Sequence, residues 1–126
     1  MDDGRRGHHI DLESALGRVP DSAGRRFTEL FAHGTLDVEI YAPRGHDPQQ
    51  PHTRDEAYIV ARGTGDFVVA DRRTGFGVGD FLFVEAGVAH RFENFSSDLA
   101  VWVVFYGPEG GEHGSATAVA APIPDN

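Results

Sequence analysis

The sequence predicts an all-β domain, a sandwich or barrel of about seven to nine short antiparallel strands with little helix. Two observations carry this. From Phe27 onward, short runs rich in β-branched and aromatic residues are interrupted by turn residues roughly every eight to twelve positions. Leu36, Val38 and Ile40 alternate with Asp37, Glu39 and Tyr41, the two-residue period of a strand with one wet face. A sheet made of hairpins must hide its edges, and a double-sheet jelly roll is one way of doing so.

Residues 1–24 are polar and broken by glycine, and read as an N-terminal arm. Within them, Leu12-Glu13-Ser14-Ala15-Leu16 predicts one or two helical turns, ended by Gly17 and Pro20. Residues 25–108 form the barrel domain. Phe27–Ala32 and Leu36–Tyr41 flank His33-Gly34-Thr35 as a hairpin, and a Pro/Gly/Asp-rich loop follows from Ala42 to Pro51. Glu56–Arg62 and Asp66–Ala70 form a second hairpin around Gly63-Thr64-Gly65. Asp71–Gly75 reads as a turn, and Phe81–Val84, His90–Phe95 and Leu99–Tyr106 complete the strands. Residues 109–126 are small, Gly/Ala/Pro-rich and expected to be a flexible tail. Two strands, Ala57–Ala61 and Val101–Tyr106, are apolar on both faces. A barrel strand has one inner face, so the outer one needs a cover; a homodimer is the expected partner, and the N-terminal arm is the other candidate.

The composition narrows the function classes. At 126 residues the chain suffices for one domain, and its 40% hydrophobic and 25% charged residues are ordinary for a globular protein. A formal net charge of −9 argues against nucleic acid as a partner. Every basic residue is arginine, which excludes a Schiff-base lysine. With no cysteine there is no disulfide, thiolate nucleophile or thiolate-held metal, so any metal must be held by nitrogen and oxygen. The first residues lack the apolar run of a signal peptide, and no stretch approaches the roughly 18 apolar residues of a membrane span. The expectation is a cytoplasmic chain without a membrane partner.

Two segments carry the chemistry: Gln50-Pro51-His52-Thr53-Arg54-Asp55-Glu56, closing at Gly63, and Gly79 through Gly87 and His90 to Asn94. Side chains two apart on a strand share a face, so 50, 52, 54 and 56 would point together if the strand is regular, as would 90, 92 and 94. His52, Glu56 and His90 could then meet inside the barrel. Two imidazoles and a carboxylate with open positions opposite suit Fe(II), and equally Mn, Ni, Co or Zn.

These two segments resemble the paired motifs of the cupins, small conserved β-barrels. The second motif is complete in spacing at Gly79, Gly87, His90 and Asn94, with Glu85 where proline is usual, and Glu56 followed by Gly63 matches the end of the first. The resemblance covers residues 30 to 106. It implies the double-stranded β-helix, a jelly-roll barrel, and one divalent metal ion held by His52, Glu56 and His90. The departure is in the His-x-His that opens the first motif, of which only His52 is present. Either Gln50 fills the first position, where its oxygen would be a weak ligand, or Arg54 fills the second. A guanidinium has no lone pair to give, so Arg54 there would pair with Glu56.

The resemblance implies a metal-dependent enzyme acting on a small molecule, like the single-domain cupin dioxygenases and isomerases, in which Tyr58 or Arg54 would orient or protonate the substrate. The alternative is a non-catalytic small-molecule-binding or structural cupin with a degenerate site. With Glu56 inward, Tyr58, Val60 and Phe92 are expected to line the pocket. Asn94 and the three glycines Gly63, Gly79 and Gly87 are expected to serve backbone geometry.

Overall fold

The computed structural model describes residues 6–119 and 122–123. The first five residues of the expected arm, and residues 120–121 and 124–126 of the expected tail, lie outside them. One five-residue helix, α1 (Leu12–Leu16), precedes eight strands: β1 (Phe27–His33), β2 (Leu36–Tyr41), β3 (Asp55–Arg62), β4 (Gly65–Val69), β5 (Arg72–Phe76), β6 (Phe81–Val84), β7 (His90–Glu93) and β8 (Ala100–Tyr106). They form two antiparallel sheets, ordered β1-β2-β8-β3-β6 and β5-β4-β7. The result is the two-sheet roll expected from the sequence.

The core lies between the sheets. Tyr58, Val60, Leu82, Val84, Val101 and Val103 of the larger sheet meet Phe67, Phe76 and Phe92. Tyr58 packs edge-on against Phe67 and Phe92, at ring separations of 5.7 and 5.1 Å. Burying a side chain of this size stabilises the fold by about 2–3 kcal/mol.

Three expectations are corrected. β3 and β4 do not form a hairpin around Gly63-Thr64-Gly65, because the chain passes there from one sheet to the other. Asp71–Gly75 is not simply a turn, because β5 occupies Arg72–Phe76. The chain reverses in the two residues Ala70 and Asp71, with Ala70 in the left-handed region at φ 54°. The polar run Arg72-Arg73-Thr74 is stable as a strand because Arg73 reaches Asp66 at 3.0 Å and Glu93 at 2.5 Å, across the neighbouring strands. The third correction concerns β2. Its polar positions Glu39 and Tyr41 face the interior and line a cavity, while the apolar Ile40 faces outward. A barrel enclosing a polar site inverts the usual alternation.

Outward-facing Ile40 is nonetheless fully buried. The N-terminal segment crosses this face: the carbonyl of Arg18 accepts from Thr28 Oγ1 on β1 at 2.6 Å, and Glu13 pairs with Arg62 on β3. Asp11 caps α1 by accepting from the Ser14 amide at 3.2 Å, and Gly17 closes it. The same outward row continues through Trp102 and Ile59 to Phe81, and there the cover ends. Ile59 is 38% exposed and Phe81 63%.

Candidate metal centre

Glu56 is the second residue of β3, hydrogen-bonded between β8 and β6, and is 1% exposed. His90 opens β7 in the other sheet and is 4% exposed. His52 comes from the loop between β2 and β3. Their ligand atoms lie within 4.8 Å of one another. His90 Nε2 is 3.1 Å from Glu56 Oε1, and His52 Nε2 is 3.7 Å from that same oxygen. The expected parity over residues 50–56 does not operate, because β3 begins only at Asp55. His52 reaches Glu56 from a loop that is tied down by its own backbone.

Those ties are specific. The His52 carbonyl accepts from the Gly87 amide at 2.7 Å, and the Thr53 carbonyl accepts from Gly110 at 2.7 Å. Gly87, at φ +80°, is the third residue of the turn that the Val88 amide closes on the Glu85 carbonyl. Asp55 is buried and accepts from the amides of Ala86 at 2.9 Å and Glu112 at 2.8 Å, fastening the start of β3. Gly63 is required for space: a Cβ there would meet Ser96 Oγ at 2.5 Å.

Two features fit the triad to a metal. His90 Nδ1 lies 2.8 Å from the Val88 carbonyl, so this nitrogen donates and Nε2 is left with its lone pair toward Glu56, the arrangement of a metal-ligating imidazole. His90 Nε2 and Glu56 Oε1 are both buried without a properly aligned hydrogen bond, although only 3.1 Å separates them. Adjacent ligands on a metal with bonds of about 2.0–2.2 Å sit roughly 3–3.5 Å apart, close to the spacings found here. Without a metal, burial pushes the His90 imidazole down, but the Glu56 carboxylate and the Val88 carbonyl outweigh it and raise its pKa above 6.5.

The cavity beside the triad has a volume of about 530 Å³. His52, Glu56, Gln50 and Phe105 stand on its wall with Glu39 and Tyr41. Burial and the carboxylates of Glu56, Glu29 and Asp37 push Glu39 up to about 7. Asp47 holds the loop over the barrel: it accepts from the Tyr41 hydroxyl, from Gln49 Nε2 at 2.6 Å and from the Phe92 amide at 2.7 Å.

Gln50 is exposed and lines the cavity. Tyr58 is fully buried, and its hydroxyl donates to Gln49 Oε1 at 2.8 Å rather than lining the cavity. Arg54 does not meet Glu56. It donates to Asp37 at 2.9 Å, to the Gly107 carbonyl at 3.1 Å and to the Thr35 carbonyl. Preceding β3 on a loop, Arg54 escapes the alternation that would have turned it inward. Glu39, Tyr41, Asp47 and Gln49 were not singled out by the sequence reading. The alternation in β2 was visible, but it assigned Glu39 and Tyr41 to solvent. Asn94 adopts φ 50° and donates to Asp66 at 3.0 Å, a backbone role.

Among the described residues, no helix is long and apolar enough to cross a membrane. An uncharacterized protein of Streptomyces coelicolor is 44% identical over 85 residues, covering 66% of this chain and 81% of its own. A cupin-2 domain protein from Shewanella frigidimarina superposes with a TM-score of 0.63 at 14% identity, over 78% of this chain and 94% of its own. The DMSP lyase DddQ from Ruegeria pomeroyi superposes with a TM-score of 0.58 at 20% identity, over 79% of this chain and 55% of its own. The Cupin_2 (cupin domain) family profile matches residues 37–106, more than half of the sequence and the whole of the stretch that carries the triad, and the chain therefore belongs to the cupin domain family.

Proposed function

We propose that this cupin binds one divalent metal ion through His52, Glu56 and His90, and is an enzyme acting on a small molecule in the adjoining cavity. The observation that carries this is the buried pair His90 Nε2 and Glu56 Oε1, two good ligand atoms left without aligned partners. Leaving such atoms unmet costs about 1–3 kcal/mol each, and a cation would satisfy both. When bound, the metal supplies a Lewis acid that polarises a substrate oxygen. Gln50 is the candidate for a further, weak ligand.

The chain's own residues supply the rest. Glu39 sits on the cavity wall with a carboxyl that changes protonation near neutral pH, the range in which a group can both take and give a proton. That favours an isomerase-like proton transfer. Phe105 and Val103 present an apolar wall that excludes water. Asp47 and Gln49 position Tyr41 and Tyr58, with Tyr58 and Arg54 acting through the frame rather than on the substrate. A dioxygenase-like reaction is the second reading, favoured by the donor set of two histidines and one carboxylate. A fold-level neighbour named as a DMSP lyase is consistent with enzyme chemistry on this scaffold.

The uncovered end of the outer face supports a homodimer. Ile59, Phe81 and Val78 are exposed on or beside β3 and the edge strand β6, where a second copy would shield them. Light scattering giving a strict monomer at high concentration would remove this part of the proposal.

The test of the metal centre is elemental analysis of protein purified without a metal-chelating tag, beside His52→Ala and His90→Ala. About one metal ion per chain, lost in both variants with the fold intact, is the expected result. A wild-type chain without metal after anaerobic reconstitution would favour a non-catalytic small-molecule-binding cupin instead.

A further inference from the structure

The cavity that His52 and Glu56 line is also lined by three arginines, Arg25, Arg26 and Arg44, of which Arg25 is paired with Asp21. Arg26 and Arg44 both line it, on the side where β1 and β2 run out. Residues 26 and 42 face each other there, the Ala42 amide donating to the Arg26 carbonyl at 2.9 Å. Arg26 Nε donates to the Ala42 carbonyl at 2.8 Å. One terminal nitrogen of Arg44 shares the carbonyls of Ala42, Pro43 and Leu99 at 3.3, 3.0 and 3.4 Å. Neither forms an ion pair among the described residues. The contrast is with Arg25, Arg54, Arg62, Arg73 and Arg91, each of which meets a carboxylate.

This is an unusual use of charge in a chain with a net charge of −9. Acidic side chains are plentiful, yet a half-buried Arg26 and an exposed Arg44 stand close enough to act on each other: burial and the charge of Arg44 both lower the pKa of Arg26. Backbone carbonyls anchor each guanidinium at one edge. The terminal nitrogens of Arg26, and Nε and the second terminal nitrogen of Arg44, have no protein acceptor among the described residues. A guanidinium fork is shaped to meet a carboxylate or phosphate edge.

We propose that the cavity binds a small organic anion, its charged group held by Arg26 and Arg44 and its other end facing His52 and Glu56. The far end of this assignment rests on the triad being a metal centre; the guanidinium end does not. The row of the sheet that contains Glu56 passes through Phe105 to Asp37, and Ala42 lies five residues farther along the chain. That is about 17 Å of extended backbone, and residues from both ends line the one cavity. An elongated molecule with an oxygen-bearing group at each end fits such a site. Its middle would meet Glu39 and the apolar Val103.

Calorimetric titration tests this with succinate, adipate and suberate, with neutral adipamide as the uncharged match and hexyl phosphate as the phosphate source. Metal content is measured on every sample. Wild-type protein is expected to bind at least one dicarboxylate or hexyl phosphate, and adipamide roughly 10-fold or more weakly. Arg44→Gln, at an exposed position, is expected to weaken the anion about 10-fold, and Arg26→Gln with Arg44→Gln about 100-fold, with metal content unchanged. Preference for hexyl phosphate with the same arginine dependence would identify a phosphate rather than a carboxylate ligand. Three results would overturn the proposal: equal binding of adipate and adipamide, unchanged anion affinity in Arg44→Gln and the double variant, or no anion binding across the series at millimolar concentration. Arginine-dependent binding by a wild-type chain that holds no metal would sink the metal centre and leave the anion site standing.

Discussion

The amide of Gly87 donates to the carbonyl of His52 at 2.7 Å, joining the turn before one imidazole directly to the loop that carries the other. Gly87 needs its φ of +80° to make this turn, although a Cβ would meet nothing within 4 Å. Gly87→Ala therefore introduces backbone strain without a clash. It should destabilise the fold by about 1–2 kcal/mol in urea denaturation and weaken metal uptake. Wild-type stability and affinity together would show that the turn does not set the position of His52.

His90 gives a pH signature. In metal-free protein its pKa is raised, so its contribution to stability is present below 6.5 and is lost as pH rises through the folded value. Glu56→Gln removes the main raising influence and leaves burial opposed only by the Val88 carbonyl and Asp47, so the His90 pKa should fall when followed by NMR. Because the metal displaces a proton from His90, metal affinity should climb with pH over the same range. A pKa unmoved in the variant would contradict this account of the pair.

Glu39 works in the same direction, through burial of its carboxyl. Its folded pKa is raised from 4.5 to about 7, so ionisation is unfavourable in the fold and metal-free stability falls as pH rises between these values. Glu39→Gln should raise the melting temperature at pH 8 by several degrees and leave it nearly unchanged at pH 4. After allowance for partial exposure, that is about 1–2 kcal/mol. A variant no more stable than wild type at pH 8 would mean that the carboxyl is better solvated than its neighbours imply.

Asp47 is the hub of the loop over the site. Asp47→Ala strips acceptors from the Tyr41 hydroxyl, Gln49 and the Phe92 amide at once, and should cost about 2–4 kcal/mol in denaturation. Metal binding should weaken with it, since the same loop delivers His52. Loss below 0.5 kcal/mol would show that water replaces the carboxylate.

Arg54 is held by Asp37 at 2.9 Å. Arg54→His should therefore leave metal affinity within about 2-fold of wild type while reducing stability by up to roughly 1 kcal/mol, the ordinary worth of such an ion pair. Tighter metal binding would mean that position 54 can turn inward.

The two-sheet roll was legible because period-2 patterning and turn residues are local signals, and most strand boundaries follow them within a residue or two. β5 was hidden because Arg72 and Arg73 look like turn residues until Arg73 is seen to meet Asp66 on β4 and Glu93 on β7 beyond it. His90 was legible from spacing in the second motif and Glu56 from its distance to Gly63 in the first, although the parity invoked for His52 was not the means: Gly87 and Gly110 hold that loop from distant sequence. Glu39 was misread because alternation tells which residues share a face and not which face is wet. Arg26 and Arg44 carried no signal, since nothing local distinguishes an arginine that lacks an acid from one that has found it.

Glu56 belongs to the five-stranded sheet and His90 to the three-stranded one. A metal held by both would be a clasp across the sandwich, fastening two layers otherwise joined by side-chain packing and chain connections. At a free concentration 100 times its dissociation constant, such a ligand adds about 2.7 kcal/mol to the folded state. Chelation would then do more than silence a site: it would make the chain easier to melt and to proteolyse, so that the supply of metal governs how long each molecule lasts.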